Sequence, residues 1–211
     1  MVVIVWWTLV PSRSTLRWNP ARPSKRFVRK LANEGASVNV VPMDLRLRPY
    51  TTDDETAARR AEDIAAAEDS MFLLGLEPEM TWTEFLDSVE TQRLGLYPSQ
   101  YRVRAAQLAA TVDGELVGRA SIRFELNEFF ASEGGHIGYV VLPDFRRRGY
   151  ATEILRQSLV IARAGGVDPV LMYCSDTNVG SFTAIERCGG VLDEVFANDR
   201  GVPSWRRYWI N

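Results

Sequence analysis

Residues 45–48 alternate, with Leu45 and Leu47 set between Arg46 and Arg48, and Pro49 follows. A period of two ended by proline predicts a short strand. Thr52 with Glu55 three residues on has the form of a capping box, and it opens an Ala-rich helix to about Asp69. Thr81 and Glu84 repeat the pattern for a second helix, which Gly95 closes. Asp113-Gly114 lies between apolar runs at 107–112 and 115–125, and this dipeptide between strands predicts a hairpin. Residues 137–142 form a short apolar run stopped by Pro143, which reads as a buried strand. A helix over 150–164 is closed by Gly165-Gly166; a strand over 170–174 follows, then a helix over 179–187 ended by Gly189-Gly190. Strands over 191–196 and 205–210 finish the chain. The order is β-α-α-β-β-β-α-β-α-β-β, an α/β (α+β) mixed sheet with helices on its faces.

Residues 1–42 break this regularity. They carry Pro11, Pro20 and Pro23 and no sustained period. Their formal charge is +6, whereas residues 43–211 carry −8, for a net −2. The expectation is two regions: a basic, unpacked extension over 1–42 and a folded domain over 43–211. Three origins suit the extension: an upstream reading-frame extension with the start at Met43, which the composition favours, a functional basic tail, or an Arg-rich targeting peptide. The acidic body argues against nucleic acid as a partner, since phosphate binding needs a positive footprint. It would suit a small cationic amine better. No stretch approaches the ~20 apolar residues of a membrane helix, so no membrane partner is expected. Two cysteines, Cys174 and Cys188, and one histidine, His136, offer neither a disulfide scaffold nor metal-ligand spacing. Reduced thiols in a cytoplasmic protein without a metal are the expectation.

The stretch from Gly138 to Thr152 carries the candidate chemistry. A buried strand runs through Val140 and Leu142 into a turn with Arg146, Arg147 and Arg148, and a helix begins after Gly149. The first turn of a helix has unpaired N–H groups and partial positive charge, which together hold phosphate. Gly149 and Ala151 are small, so phosphate can approach the backbone. The pattern lacks the lysine of a nucleotide P-loop and the GxGxxG of a dinucleotide fold. A solvated arginine turn would look the same in isolation.

Arg146-x-x-Gly149-x-Ala151 after a strand and Pro143 resembles the acyl-CoA signature of the GNAT superfamily, (Arg/Gln)-x-x-Gly-x-(Gly/Ala). The order of elements from about Met43 to Ile210 is similar too. More narrowly, Gly135-His136-Ile137-Gly138-Tyr139, Asn178 with Ser181, Gly189-Gly190 and Arg207-Tyr208-Trp209-Ile210 resemble a bacterial branch of predicted acetyltransferases. The resemblance implies a GNAT fold, acetyl-CoA as cosubstrate, and N-acetyl transfer to a primary amine of a small molecule or protein. It implies that the strand near Val140 splays from the strand over 170–174, with the pantetheine arm bonded to backbone groups of Val140 and Leu142. Amides of Arg147, Arg148, Gly149, Tyr150, Ala151 and Thr152 would hold the pyrophosphate beside Arg146. Asn178 would bond the cofactor arm with Ser181 nearby, although an N-cap suits Asn178 equally. His136 would take the place of the glutamate base of the histone-acetylating branch, and an imidazole suits that task near neutral pH. Pairing of the C-terminal strand across a homodimer is a further implication.

The pattern also departs from the family. Many members have a tyrosine seven residues after the Asn, able to protonate the leaving thiolate; here Ile185 stands there. Tyr173 and Tyr208 are the possible substitutes, although strand aromatics are more often core. Cys174 suggests a ping-pong route, against which a buried small residue is the plainer reading. Phe72, Trp82, Phe85 and Tyr97 fall where an acceptor pocket would be shaped, with core packing the commoner role of such spacing. A catalytically inactive acyl-CoA-binding regulator and an acyltransferase for longer acyl groups are the alternatives.

Overall fold

A computed structural model describes residues 44–96, 102–196 and 204–211. The strands are β1 (Leu45–Arg48), β2 (Ala105–Val112), β3 (Glu115–Arg123), β4 (Ile137–Val141), β5 (Val170–Ser175), β6 (Val191–Phe196) and β7 (Trp205–Ile210). The helices are α1 (Glu55–Ala66), α2 (Trp82–Leu94), α3 (Tyr150–Ala164) and α4 (Val179–Arg187). Their order is the expected one. The extension expected over 1–42 and Tyr97 lie outside the described residues.

Local chemistry sets the boundaries. The first capping box is one residue earlier than its sequence form suggested: Asp54, not Glu55, reaches back, accepting from the Thr51 amide and hydroxyl at 2.7 and 3.0 Å. Arg48 fixes the same carboxylate with two hydrogen bonds, which is why Asp54 is favoured over the freer Glu55. Thr81 and Glu84 form the second box as expected, and Gly95 ends α2 in the left-handed region. Asp113 and Gly114 both take positive φ, which closes the β2–β3 hairpin.

The sheet is in two parts. β1-β2-β3-β4 form one antiparallel sheet and β5-β7-β6 another. α3 joins them from one face. Ile154 packs with Ala110, Val117 and Ala120 of the first sheet. Leu155, Leu159 and Ala162 pack with Ile122 and Ile137, and also with Val170, Met172 and Tyr208 of the second. On the opposite face Phe72, Trp82 and Phe85, together with Ala58, Ala61 and Ala65 of α1, bury Ala109, Leu116, Val140 and Leu142. Trp82 and Phe85 stack at 5.1 Å, and Tyr50 meets both edge-on. Phe72, Trp82 and Phe85 are therefore core, not pocket wall. β7 has β5 on one side and β6 on the other, so the C-terminal strand has no open edge for pairing across a dimer; in this sheet β6 does.

Candidate acetyl-CoA cleft

β4 begins against β5 and then leaves it. At the start, the His136 amide donates to the Leu171 carbonyl at 2.8 Å, and the Leu171 amide donates to His136 Nδ1 at 2.9 Å. Gly135 makes the approach possible. Its φ is +63°, and a Cβ there would stand 2.5 Å from the Leu171 carbonyl oxygen. Beyond this junction no ladder joins β4 to β5. A cleft of about 660 Å³ opens there, lined by Tyr139, Val140 and Val141, by the turn before α3 and by α4.

The register of β4 decides which backbone groups face the cleft. Arg123 donates to the His136 carbonyl, and Leu142 donates to Val117. Ser121 lies opposite Gly138 and Arg119 opposite Val140. In an antiparallel ladder alternate residues bond the partner strand. Gly138 and Val140, with the His136 carbonyl and the Leu142 amide, thus turn their backbone groups to β3, while those of Tyr139 and Val141 face the opening. This corrects the expectation for Val140 and Leu142. Leu142 also accepts from the Phe145 amide, is buried, and is not part of the cleft wall. Val140 borders the cleft, but its backbone groups are spent on β3 and its side chain packs in the core. A one-residue shift of bonding parity cannot be read from an apolar run.

The turn before α3 leaves a run of amides unspent. The amides of residues 147–151 have no hydrogen-bond partner among the described residues, while the Thr152 amide is spent on the Gly149 carbonyl at 3.1 Å. Arg147 and Gly149 both have positive φ, at 65° and 86°, which turns successive amides toward one side. Arg147 and Arg148 are exposed. Arg146 is not free for phosphate: it makes a bidentate pair with Glu68 at 3.0 and 2.5 Å and donates Nε to the Val141 carbonyl. Its work is to fasten the turn to β4 and to the segment after α1. The Arg146 guanidinium holds the Glu68 carboxyl below its ordinary range.

Asn178 caps α4, its side chain accepting from the Ser181 amide at 3.0 Å. Both residues line the cleft. Tyr139 reaches across the cleft to Ser181, with 3.1 Å between hydroxyls. Burial raises the Tyr139 phenol above its usual range. Gly180, Thr183, Ala184 and Arg187 complete the α4 wall. The reading of the sequence missed these and Tyr139; the signal was there, since 180, 183, 184 and 187 follow helical spacing along one face.

Other candidates fall elsewhere. His136 is outside the cleft wall. With Nδ1 accepting from Leu171, the neutral ring carries its proton on Nε2, so neither nitrogen offers a free lone pair to an amine. Burial, with Arg123 nearby, holds its pKa below 6.5. Ile185 is fully buried in the core. Tyr173 donates to the Ala131 carbonyl and Tyr208 to Glu186, and neither lines the cleft. Cys174 is fully buried, and burial pushes its thiol up to about 11. Among the described residues no three His, Cys, Asp or Glu side chains gather to hold a metal, and no helix is long and apolar enough to cross a membrane.

A strand that leaves its neighbour beside an amide-lined helix start defines an acyl-CoA-binding fold. The acetyltransferase (GNAT) domain family matches residues 44–191, and the chain belongs to this family of acetyl-CoA-dependent acetyltransferases. Among solved structures it is similar to YncA of Salmonella typhimurium, determined with its cofactor acetyl-CoA, at 14% identity and TM-score 0.54, covering 79% of this chain and 93% of the other. It is similar to Mycobacterium smegmatis RimJ in complex with CoA-disulfide, at 17% identity and TM-score 0.57, covering 79% and 81%. It is also similar to an N-acetyltransferase from Staphylococcus aureus Mu50, at 14% identity and TM-score 0.54, covering 80% and 98%. No curated protein matches the sequence.

Proposed function

We propose that this acetyltransferase moves the acetyl group of acetyl-CoA directly to a primary amine, with no acyl-enzyme. The run of unpaired amides at 147–151, at the mouth of the cleft, carries the reading. A helix start with free N–H groups suits a pyrophosphate, and Arg147, Arg148 and Arg187 add charge around it. The backbone groups of Tyr139 and the Val141 amide suit the amides of a pantetheine arm. Asn178 and Ser181 shape the α4 side, Asn178 acting as N-cap.

In direct transfer the amine lone pair attacks the thioester carbonyl carbon. A C–N bond forms, the C–S bond breaks, and the proton lost by the amine balances the one gained by the thiolate. The buried, protonated Cys174 supports a route without an acyl-cysteine. A thiol pKa near ~8.5 makes the thiolate a tolerable leaving group without the tyrosine that Ile185 replaces. We assign His136 to holding β4 against β5, and proton removal to water at the strand edge. The test is thiol release from acetyl-CoA against a panel of primary amines, with Cys174→Ala in parallel. Turnover by wild type and variant alike supports direct transfer. Loss of turnover in a folded Cys174→Ala, or trapping of an acetylated Cys174, overturns it.

A further inference from the structure

The face of the first sheet away from α3 contains charge that its packing does not explain. Arg119, Ser121 and Arg123 alternate on β3 and point to that face, with Ser121 opposite Gly138. Arg119 is 8% exposed, donates Nη2 to the Met71 carbonyl at 3.0 Å, and has a buried Nε with no partner. Arg123, half-buried, donates to the carbonyls of Gly134 and Gly135 at 3.3 and 3.0 Å and lies 4.1 Å from the Phe130 ring centre. Among the described residues neither guanidinium pairs with a carboxylate. Glu62, whose charge Arg119 feels, makes no ion pair with it; its Oε2 accepts from the Phe72 and Leu73 amides at 2.6 and 2.5 Å. Tyr50, on the same side, has a buried hydroxyl without a partner.

Carbonyls satisfy N–H groups but do not cancel charge, and two like charges out of water are costly without a counter-ion. Burial and the neighbouring Arg119 push Arg123 down to about 10, and burial lowers Arg119 as well; a guanidinium nonetheless keeps its proton in proteins. The two converge on one spot. A Cβ at Gly138 would meet only Arg119 Nη1 at 3.9 Å and Arg123 Nη2 at 4.0 Å. Gly138 is itself partly exposed. It directly precedes Tyr139, where the cleft begins.

We propose that Arg119 and Arg123 form, above Gly138, the subsite for an anionic group of the acceptor, a carboxylate or phosphate close to its reacting amine. This rests on the amine-transfer reading and replaces the cationic amine suggested by the charge of the body. An acyl group along the edge of β4 and an amine tethered above Gly138 would meet across that edge.

Binding of acetylated products to the full chain with CoA tests this apart from turnover. The calorimetric probes are N-acetylglycine, N-acetyl-phosphoethanolamine and the neutral N-acetylglycinamide. At least one anion should bind about 10-fold or more tighter than the amide, and the tighter anion names the group. Arg123→Met should erase that preference and leave acetyl-CoA affinity within about 2-fold. Arg123→Lys, which keeps charge without the fork, should retain part of it and serves if the methionine variant unfolds. Equal binding of all three probes by wild type, or a preference surviving in folded Arg119→Met and Arg123→Met, overturns the subsite. Acetyl-CoA is titrated separately: a chain that prefers the anion but does not bind acetyl-CoA refutes the transferase reading and not the anion site.

Discussion

The two ends of β4 do opposite things. At Gly135 and His136 the chain is locked to β5 by reciprocal hydrogen bonds with Leu171. Three residues later, at Tyr139, the same edge has no strand beside it and lines a cleft. Unpaired backbone is costly when buried, so an edge left open inside a domain is suited to a ligand that completes it. The closed end, with α3 packed across both sheets, fixes where the open end begins.

The comparison predicts a separation of effects. The largest belongs to the open end. Gly149→Glu puts a side chain and a negative charge at the amides of 147–151, at a φ of 86° that favours glycine. Affinity for acetyl-CoA should fall about 10³-fold or more, near 4 kcal/mol, by calorimetry. Unchanged affinity would remove the turn from the site. Next is the closed end. Gly135→Ala must fit a Cβ 2.5 Å from the Leu171 carbonyl at a φ of +63°. Strain and overpacking together should cost about 2–4 kcal/mol of stability in urea unfolding. An unchanged midpoint would show that the junction does not hold the fold.

His136→Ala tests whether that end is structural or chemical. Removing Nδ1 leaves the Leu171 amide unpaired, at a cost of about 1–3 kcal/mol. For a chain of this size each kcal/mol lowers Tm by about 2–4 °C. His136→Asn should restore much of the loss, since its carbonyl can accept the same hydrogen bond, although it cannot serve as a base. Turnover near wild type in His136→Asn fits a clamp; a fall of about 10²-fold with stability and acetyl-CoA affinity intact would make His136 the base after all. The pH dependence has a definite sign. The folded pKa lies below 6.5, so the unfolded chain takes up the proton first as pH falls. Wild type should therefore lose stability from about pH 6.5 down to the lower folded value and no further from this group, a slope that His136→Asn lacks.

The open end was more legible in sequence than the closed one. A strand stopped by Pro143 and a helix opened after Gly149 leave marks in residue type, because proline and positive φ restrict what can stand there. The hairpin at Asp113-Gly114 and the cap at Thr81 were legible for the same reason. Bonding parity along β4 was not, since Val140 and Val141 are chemically alike and only the register with β3 distinguishes them. His136 was misleading because an imidazole is both a base and a hydrogen-bond acceptor, and only the Leu171 contact shows which lone pair is engaged. Arg119 and Arg123 alternate with small and apolar residues and read like the solvent face of a strand; tertiary packing over that face buries Arg119 and half-buries Arg123.

The smallest effect lies at Arg146, which braces the open end. Its guanidinium ties the Val141 carbonyl to Glu68, so it fixes the turn. Both partners are about a third exposed, at 31% and 32%, so water screens the pair. Glu68→Gln should cost only about 0.5–1 kcal/mol of stability. Acetyl-CoA affinity should fall by about 2- to 5-fold, since a loosened turn must be ordered again on binding. The Glu68 contribution is present above its unfolded pKa of about 4.5 and is lost as pH falls through the lower folded value. Wild type and Glu68→Gln should thus differ in Tm at pH 7 and converge at low pH. If Glu68→Gln instead weakened acetyl-CoA as much as Gly149→Glu, Arg146 would have to act on the phosphate itself, and its pairing with Glu68 would belong to the free enzyme alone.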